Sequence, residues 1–299
     1  MTKHHEFIIM IISTYNNTNA CHTAKDLLFC YNCYQSRHIA KNCPLPVVSF
    51  GIVCYDPQYD TVKYLMVERK YSIAFVEFLM GKYYICDGEY IQKLFNRMTL
   101  FERCCIGKYE FKILWKRLWN MNGYHKKSLQ REFWKASIKF YILKNGFICS
   151  QTQRHLQIQL FIENSDQNYK TPEWYFPKGK RVHEHEEPQD CAIREFKEET
   201  NISHIDIEVK NATNLFEEEH IAGNGKIYKV YFFIAKYTGG QNSHFLPQYI
   251  HKQNRDFIQK NSEIGDMDWF TYDECIAKFR PYETEKLNLL NVIHTHILS

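Results

Sequence analysis

"FPKGKRVHEHEEPQDCAIREFKEETNI", residues 176–202, decides how the rest of the chain is read. Its second half has helical spacing. Ala192, Ile193 and Phe196 form an apolar side that can pack on a sheet, while Glu195, Glu198 and Glu199 fall at i, i+3 and i+4 on another side. Like charges at that spacing repel by roughly a few tenths of a kcal/mol per pair. Either the face is simply solvated, or something positive sits on it. Glu186 lies eight residues before Arg194, which opens the acidic set. Carboxylates so grouped suit hard divalent cations such as Mg²⁺ or Mn²⁺, which prefer oxygen ligands. Such ions bridge phosphate oxygens and lower the pKa of an attacking water.

The stretch resembles the Nudix box, G-x5-E-x7-R-E-U-x-E-E-x-G-U, signature of hydrolases of nucleoside diphosphates linked to another group. Gly179, Glu186, Arg194, Glu195, Phe196, Glu198, Glu199 and Ile202 occupy the matching positions. There are two departures. Six residues rather than five separate Gly179 from Glu186, and Asn201 replaces the closing glycine. Asn is the other residue that tolerates a left-handed helix cap. The resemblance implies an α/β Nudix fold, a mixed sheet sandwiched by helices. It implies metal ligation by Glu195, Glu198 and Glu199, with Arg194 holding loop and helix together.

Beyond the box, "LMVERKYSIAFVEFLMGKY" (65–83), "LFNRMTLFER" (94–103) and "YHKK" (124–127) look like the mRNA-decapping Nudix enzymes of large cytoplasmic DNA viruses. That likeness implies hydrolysis of the m7GpppN cap to m7GDP and 5′-monophosphate RNA, and a helical RNA-binding insertion after the first Nudix strands. Some members also cleave diphosphoinositol polyphosphates. Decapping members carry a glutamate shortly before a strand tryptophan as metal ligand or general base. Glu263, before Trp269, holds that place.

The organisation agrees. "VVSFGIVCY" (47–55) and "VKYLMVER" (62–69) read as strands around the turn-like "DPQYD". Ile91, Leu94, Phe95 and Met98 then repeat at i, i+3, i+4, i+7, as do Phe111, Leu114, Trp115 and Leu118. Thr99 and Glu102 have capping-box spacing. "LQIQLFIEN" (156–164) fits a strand or a helix. A hairpin is expected from "ATNLFEEE" through "GNGK" to "KIYKVYFFIAKY", then a strand "DMDWF" (266–270) and two helices, 272–279 and 283–298. "FIIMII" (7–12) is too short for a membrane anchor and reads as a buried strand or short helix. The 11 cysteines are scattered and odd in number, the pattern of reduced thiols in a cytosolic setting.

A net charge of +4 names no partner, but its distribution is uneven. Lys112, Lys116, Arg117, Lys126, Lys127, Arg131, Lys135 and Lys139 stand against Glu132 alone, so the remainder of the chain is net acidic. Trp115, Trp119, Tyr124, Phe133 and Trp134 interleave with them. Such a surface neutralises RNA phosphates and can stack bases; the blander reading is a solvated face with Trp115 in the core. Cys30, Cys33, His38 and Cys43 have the spacing C-x2-C-x4-H-x4-C. This looks like the zinc knuckle of retroviral nucleocapsid proteins, which binds single-stranded nucleic acid through a tetrahedral Zn²⁺ site. Tyr31 sits where knuckles carry a stacking aromatic, and Tyr34 and Arg37 replace the usual two glycines.

The expected division is an N-terminal extension (1–29), a CCHC knuckle (30–46), first Nudix strands (47–72), a helical RNA-binding insertion (73–146) and the Nudix domain (147–299). The expected activity is metal-dependent cap hydrolysis of capped mRNA in the cytoplasm, a virus-infected host's if the chain is viral. Mg²⁺ or Mn²⁺ would sit at the box, Zn²⁺ in the knuckle, Glu263 or Glu199 would act as base, and no membrane is involved. Two alternatives stay open: a pyrophosphohydrolase of diphosphoinositol polyphosphates or nucleotides, and a non-catalytic RNA-binding protein.

Overall fold

The computed structural model describes residues 29–57, 61–119, 127–166, 169–210, 215–221, 225–239 and 263–299. "FIIMII", Tyr124 and Lys126 lie outside them. The two expected strands form as β1 (Val47–Asp56) and β2 (Lys63–Arg69), paired antiparallel with Tyr55 opposite Tyr64. Their runs of consecutive buried residues are what a sheet covered on both faces requires. Phe50, Ile52 and Cys54 with Leu65 and Val67 enter one core, and Val53 with Tyr64 and Met66 enter the other.

Five helices follow: α1 (Ile73–Leu79), α2 (Gly88–Arg97), α3 (Leu100–Lys108), α4 (Phe111–Leu118) and α5 (Lys127–Asn145). The periodic residues make this segment's own core, where Ile91, Leu94, Phe95, Phe111, Leu114 and Trp115 pack with Phe78 and Phe140. The Thr99/Glu102 capping box is formed at the start of α3. The buried Glu102 carboxylate also accepts from Ser72 N and Oγ, both at 2.7 Å, and Ser72 caps α1. One carboxylate thus satisfies two helix starts.

A short hairpin, β3 (Phe147–Ile148) with β4 (His155–Leu156), closes the helical segment. The ambiguous "LQIQLFIEN" resolves into the end of β4 and α6 (Ile158–Glu163). Two-residue strands β5 (Trp174–Tyr175) and β6 (Lys178–Gly179) pair with β2 and β1 and lead to α7 (Pro188–Thr200). Then come β7 (Ile207–Val209), β8 (Phe216–Ile221), β9 (Ile227–Tyr237), β10 (Ile264–Thr271), α8 (Tyr272–Lys278) and α9 (Thr284–Leu298). The expected hairpin is β8–β9, with Ile221 opposite Ile227 and Gly225 at φ 76° in its turn. The sheet runs β10-β2-β1-β9-β7, with β1 and β9 parallel and the other pairs antiparallel. Cys191, Ala192 and Phe196 of α7 seal one face, and Cys275, Leu289, Leu290 and Ile293 of α8 and α9 seal the other. Among the described residues no helix is long and apolar enough to cross a membrane.

Candidate active site

Helix α7 begins with Pro188 in its first turn and ends at Asn201, whose φ of 59° is the left-handed cap that the departure from glycine requires. Arg194 is the hub of the loop before it. Its Nε and Nη2 grip Glu186 at 2.7 and 3.2 Å, and Nη2 also donates to Lys180 O at 2.8 Å. Glu186 in turn accepts from Val182 N at 2.8 Å. The bidentate pair holds Glu186 below the usual carboxylate range. The extra loop residue is accommodated without loss of this grip.

The three acidic residues of α7 occupy three different environments. Glu198 is the open one: its side chain is 59% exposed and touches Arg194 at 3.3 Å. Glu195 is mostly covered and accepts from Arg194 Nη1 at 2.8 Å. Burial raises its pKa, against the pull of Arg194. Its carboxylate lies where a side chain on residue 179 would be; a Cβ there would come within 3.0 Å of Cδ and both oxygens of Glu195. Glycine at 179 therefore makes room for a carboxylate. Glu199 does not share the exposed face that the spacing suggests. It is 7% exposed and accepts from Tyr175 OH at 3.0 Å and Lys178 N at 3.1 Å. Burial pushes Glu199 up to about 7, against the charge of Lys178 and these two bonds.

Glu263 stands exposed at the foot of β10, its backbone oxygen accepting from Lys70 N at 2.7 Å, and its charge bears on Glu195 and Tyr175. Three further residues belong here that no motif singled out. Tyr175 has two cations over its ring, Arg69 at 4.8 Å and Lys178 at 5.1 Å from the centroid. Desolvation, then Arg69, bring Lys178 down to about 8. The place of Lys178 directly before Gly179 was the available signal; Arg69 and Tyr175 gave none beyond their strands.

A second constellation sits at the N-terminal side. Donor atoms of Cys30, Cys33, His38 and Cys43 lie within 4.8 Å of one another, with Cys33 Sγ and His38 Nε2 at 3.3 Å. Burial disfavours the Cys43 thiolate, but hydrogen bonds from Asn32 and His38 outweigh it and bring Cys43 to about 6. All the described cysteines are free thiols. Tyr34 and Arg37 adopt the positive φ, 59° and 77°, that glycines would take without strain. Each such residue costs about 1–2 kcal/mol.

The basic stretch divides by fate. Lys112, Arg117 and Arg131 are exposed, Lys116 is half-buried and Lys127 opens α5. Arg117 lies 4.2 Å over the Tyr109 ring. Lys139 turns inward, donating to Gly81 O and Tyr83 O at 2.8 and 2.6 Å. Of the aromatics, Trp115 is core and Trp134 is 62% exposed beside Arg131 and Lys135.

Comparison with known proteins gives these features their setting. The NUDIX domain model matches residues 146–290. A relative from Acanthamoeba polyphaga mimivirus, named for mRNA decapping, is 34% identical over 252 residues, covering 80% of this chain and 67% of its own. The mRNA-decapping protein g5R of African swine fever virus (isolate Pig/Kenya/KEN-50/1950) is 31% identical over 195 residues, 62% of this chain and 72% of that one. With the box helix packed on a mixed sheet, the family model over residues 146–290 and a relative 34% identical over 80% of the chain, the chain belongs to the Nudix hydrolase family, beside members named for mRNA decapping.

Proposed function

We propose that this protein hydrolyses the cap of mRNA, releasing m7GDP and leaving 5′-monophosphate RNA. The observation that carries the reading is the cradle at Gly179: the chain gives up a side chain there so that the Glu195 carboxylate can sit against the backbone, beside the buried Glu199. The oxygen donors of Glu195, Glu198 and Glu199, with Glu263 at the edge, suit Mg²⁺ or Mn²⁺. Such ions would supply charge neutralisation on the triphosphate and a more acidic water. Tyr175 and the Lys178 amide aim Glu199, and Arg194 holds Glu195 and the loop. The Lys178 ammonium, depressed to about 8, stands by to neutralise charge on a phosphate oxygen. Glu263 or Glu199 takes the proton of the attacking water; Glu199, at about 7, suits that task near neutrality.

Lys112, Lys116, Arg117, Lys127 and Arg131 with Trp134 offer phosphate contacts and a stacking surface for the RNA body, which favours a capped RNA over a small soluble substrate. Cys30, Cys33, His38 and Cys43 would hold one Zn²⁺ as a closed structural site. The test is to incubate cap-labelled RNA with the protein and Mg²⁺ or Mn²⁺, alongside Glu198→Gln. Release of m7GDP by the parent, reduced by orders of magnitude in the variant, is expected. Near-parental release from the variant removes the box from the chemistry. Uncapped RNA should compete; indifference to it points instead to a soluble pyrophosphate substrate.

A further inference from the structure

The knuckle does not hang free of the catalytic loop. Tyr34, at the position where a knuckle normally has glycine, donates its hydroxyl to Arg181 O at 3.2 Å, across 147 residues of sequence. Arg181 is the middle of three consecutive loop residues that each have one backbone group held by a side chain. Lys180 O receives Arg194 Nη2 at 2.8 Å, and Val182 N donates to Glu186 at 2.8 Å. The Arg181 guanidinium lies 4.9 Å over Phe50 of β1. A second tie comes from the β8–β9 turn, where Lys226 Nζ donates to Ala40 O at 2.7 Å. Within the knuckle, Asn32 Nδ2 donates to Leu45 O and Pro46 O, at 3.3 and 3.0 Å, and reaches Cys43 Sγ at 3.2 Å, which fixes the residues that lead into β1. A tyrosine at φ 59° is strained where glycine would be at ease. The strain has a return in the structure, since only a side chain can reach the loop.

We propose that the metal-folded knuckle is a clamp on the catalytic loop: through Tyr34 it fixes Lys180–Val182, and thereby the Arg194–Glu195 arrangement on which divalent-metal affinity at the box depends. Tyr34 is a positioning residue in this scheme and touches no substrate. The inference rests on the cap-hydrolase reading only for its activity readout.

The test uses the full chain and two variants, Tyr34→Phe, which removes the hydroxyl alone, and Tyr34→Gly, which removes the ring and relieves the backbone. Zinc per chain is measured first. Free Mn²⁺ is then followed by electron paramagnetic resonance to obtain half-saturation of the box, and kcat and KM are measured on m7GpppG, which has no RNA body. Loss of one hydrogen bond should raise Mn²⁺ half-saturation about fivefold in Tyr34→Phe, and further in Tyr34→Gly, with zinc retained. Activity on m7GpppG should recover at high Mn²⁺. Unchanged Mn²⁺ half-saturation in both variants overturns the clamp, as does a loss confined to RNA affinity. Should Tyr34→Gly lose zinc, Tyr34→Phe decides alone. If the parent hydrolyses neither m7GpppG nor capped RNA but the Mn²⁺ shift appears, the cap reading fails and the clamp stands.

Discussion

Gly179→Ala separates what the box needs for folding from what it needs for chemistry. The added Cβ would fall within 3.0 Å of Cδ, Oε1 and Oε2 of Glu195. Those atoms are the free end of a flexible side chain, and Gly179 has no positive φ, so the backbone can stay and Glu195 must swing away. The loss is the 2.8 Å bond to Arg194, between side chains 17% and 25% exposed. A charge-assisted bond is worth about 1.5–3 kcal/mol, and partial exposure lowers that to about 1–2 kcal/mol. Arg194 keeps Glu186 and Lys180 O. The melting temperature should therefore fall by only a few degrees. Turnover should fall at least about 100-fold, equivalent to ~2.7 kcal/mol of transition-state stabilisation, because a metal-binding carboxylate has left its place. Measured as m7GDP release with Mn²⁺ half-saturation, the double variant Gly179→Ala/Glu195→Gln should be no worse than Glu195→Gln alone. Near-parental turnover in Gly179→Ala, or fully multiplicative losses in the double variant, refutes the cradle.

Burial raises Glu199 from 4.5 to about 7, so the metal-free folded chain holds a proton there that the unfolded chain has already released. Folding stability should accordingly fall as pH rises through that window, by up to about 3 kcal/mol from this group. Glu199→Gln should flatten that part of the slope and Mn²⁺ should restore stability at pH 8; equal slopes in parent and variant, compared because Glu68 is raised to the same value, refute this. Elemental analysis should find one Zn²⁺ per chain and none in Cys30→Ser with Cys43→Ser; a zinc-free parent ends the knuckle reading. Replacing Lys126, Lys127 and Arg131 by alanine should weaken RNA binding across sequences and flatten its salt dependence by about 0.7 for each lost phosphate contact. An unchanged slope would mean that this stretch is a solvated face.

Where the sequence carried a period, it located the element. The strand-like runs of β1 and β2, the repeats of α2 and α4 and the capping box of α3 depend on neighbours within one turn or one strand, and each formed as expected. Burial of Glu199 depends instead on β5 and β6, two residues each, too short for any period to show. Composition likewise counted Lys139 among the basic residues, although two backbone carbonyls of the loop after α1 draw it inward. "LQIQLFIEN" was undecidable locally because Leu156 pairs with Phe147, a contact that ends the strand and frees the next residues to turn into α6. The strain at Tyr34 and Arg37 was foreshadowed by the missing glycines, but its beneficiary, the loop 147 residues away, was not.

The question posed by three glutamates at i, i+3 and i+4 has its answer in how unevenly the face is covered. Were the face merely solvated, all three would be exposed and similar. Instead, the Glu198 side chain is 59% exposed, that of Glu195 is 17% exposed, and Glu199 is buried at 7%. The positive partners are graded with them: Arg194 serves the two outer carboxylates, while Lys178 faces the inner one. Those partners do not quench the site. Glu195 and Glu199 both remain raised above the ordinary carboxylate value despite the cations beside them, so burial exceeds the compensation supplied by the chain. A structural ion-pair cluster would be expected to close that deficit from within, as Arg194 does for Glu186. A site that leaves it open is one whose carboxylates gain most when a cation arrives from outside.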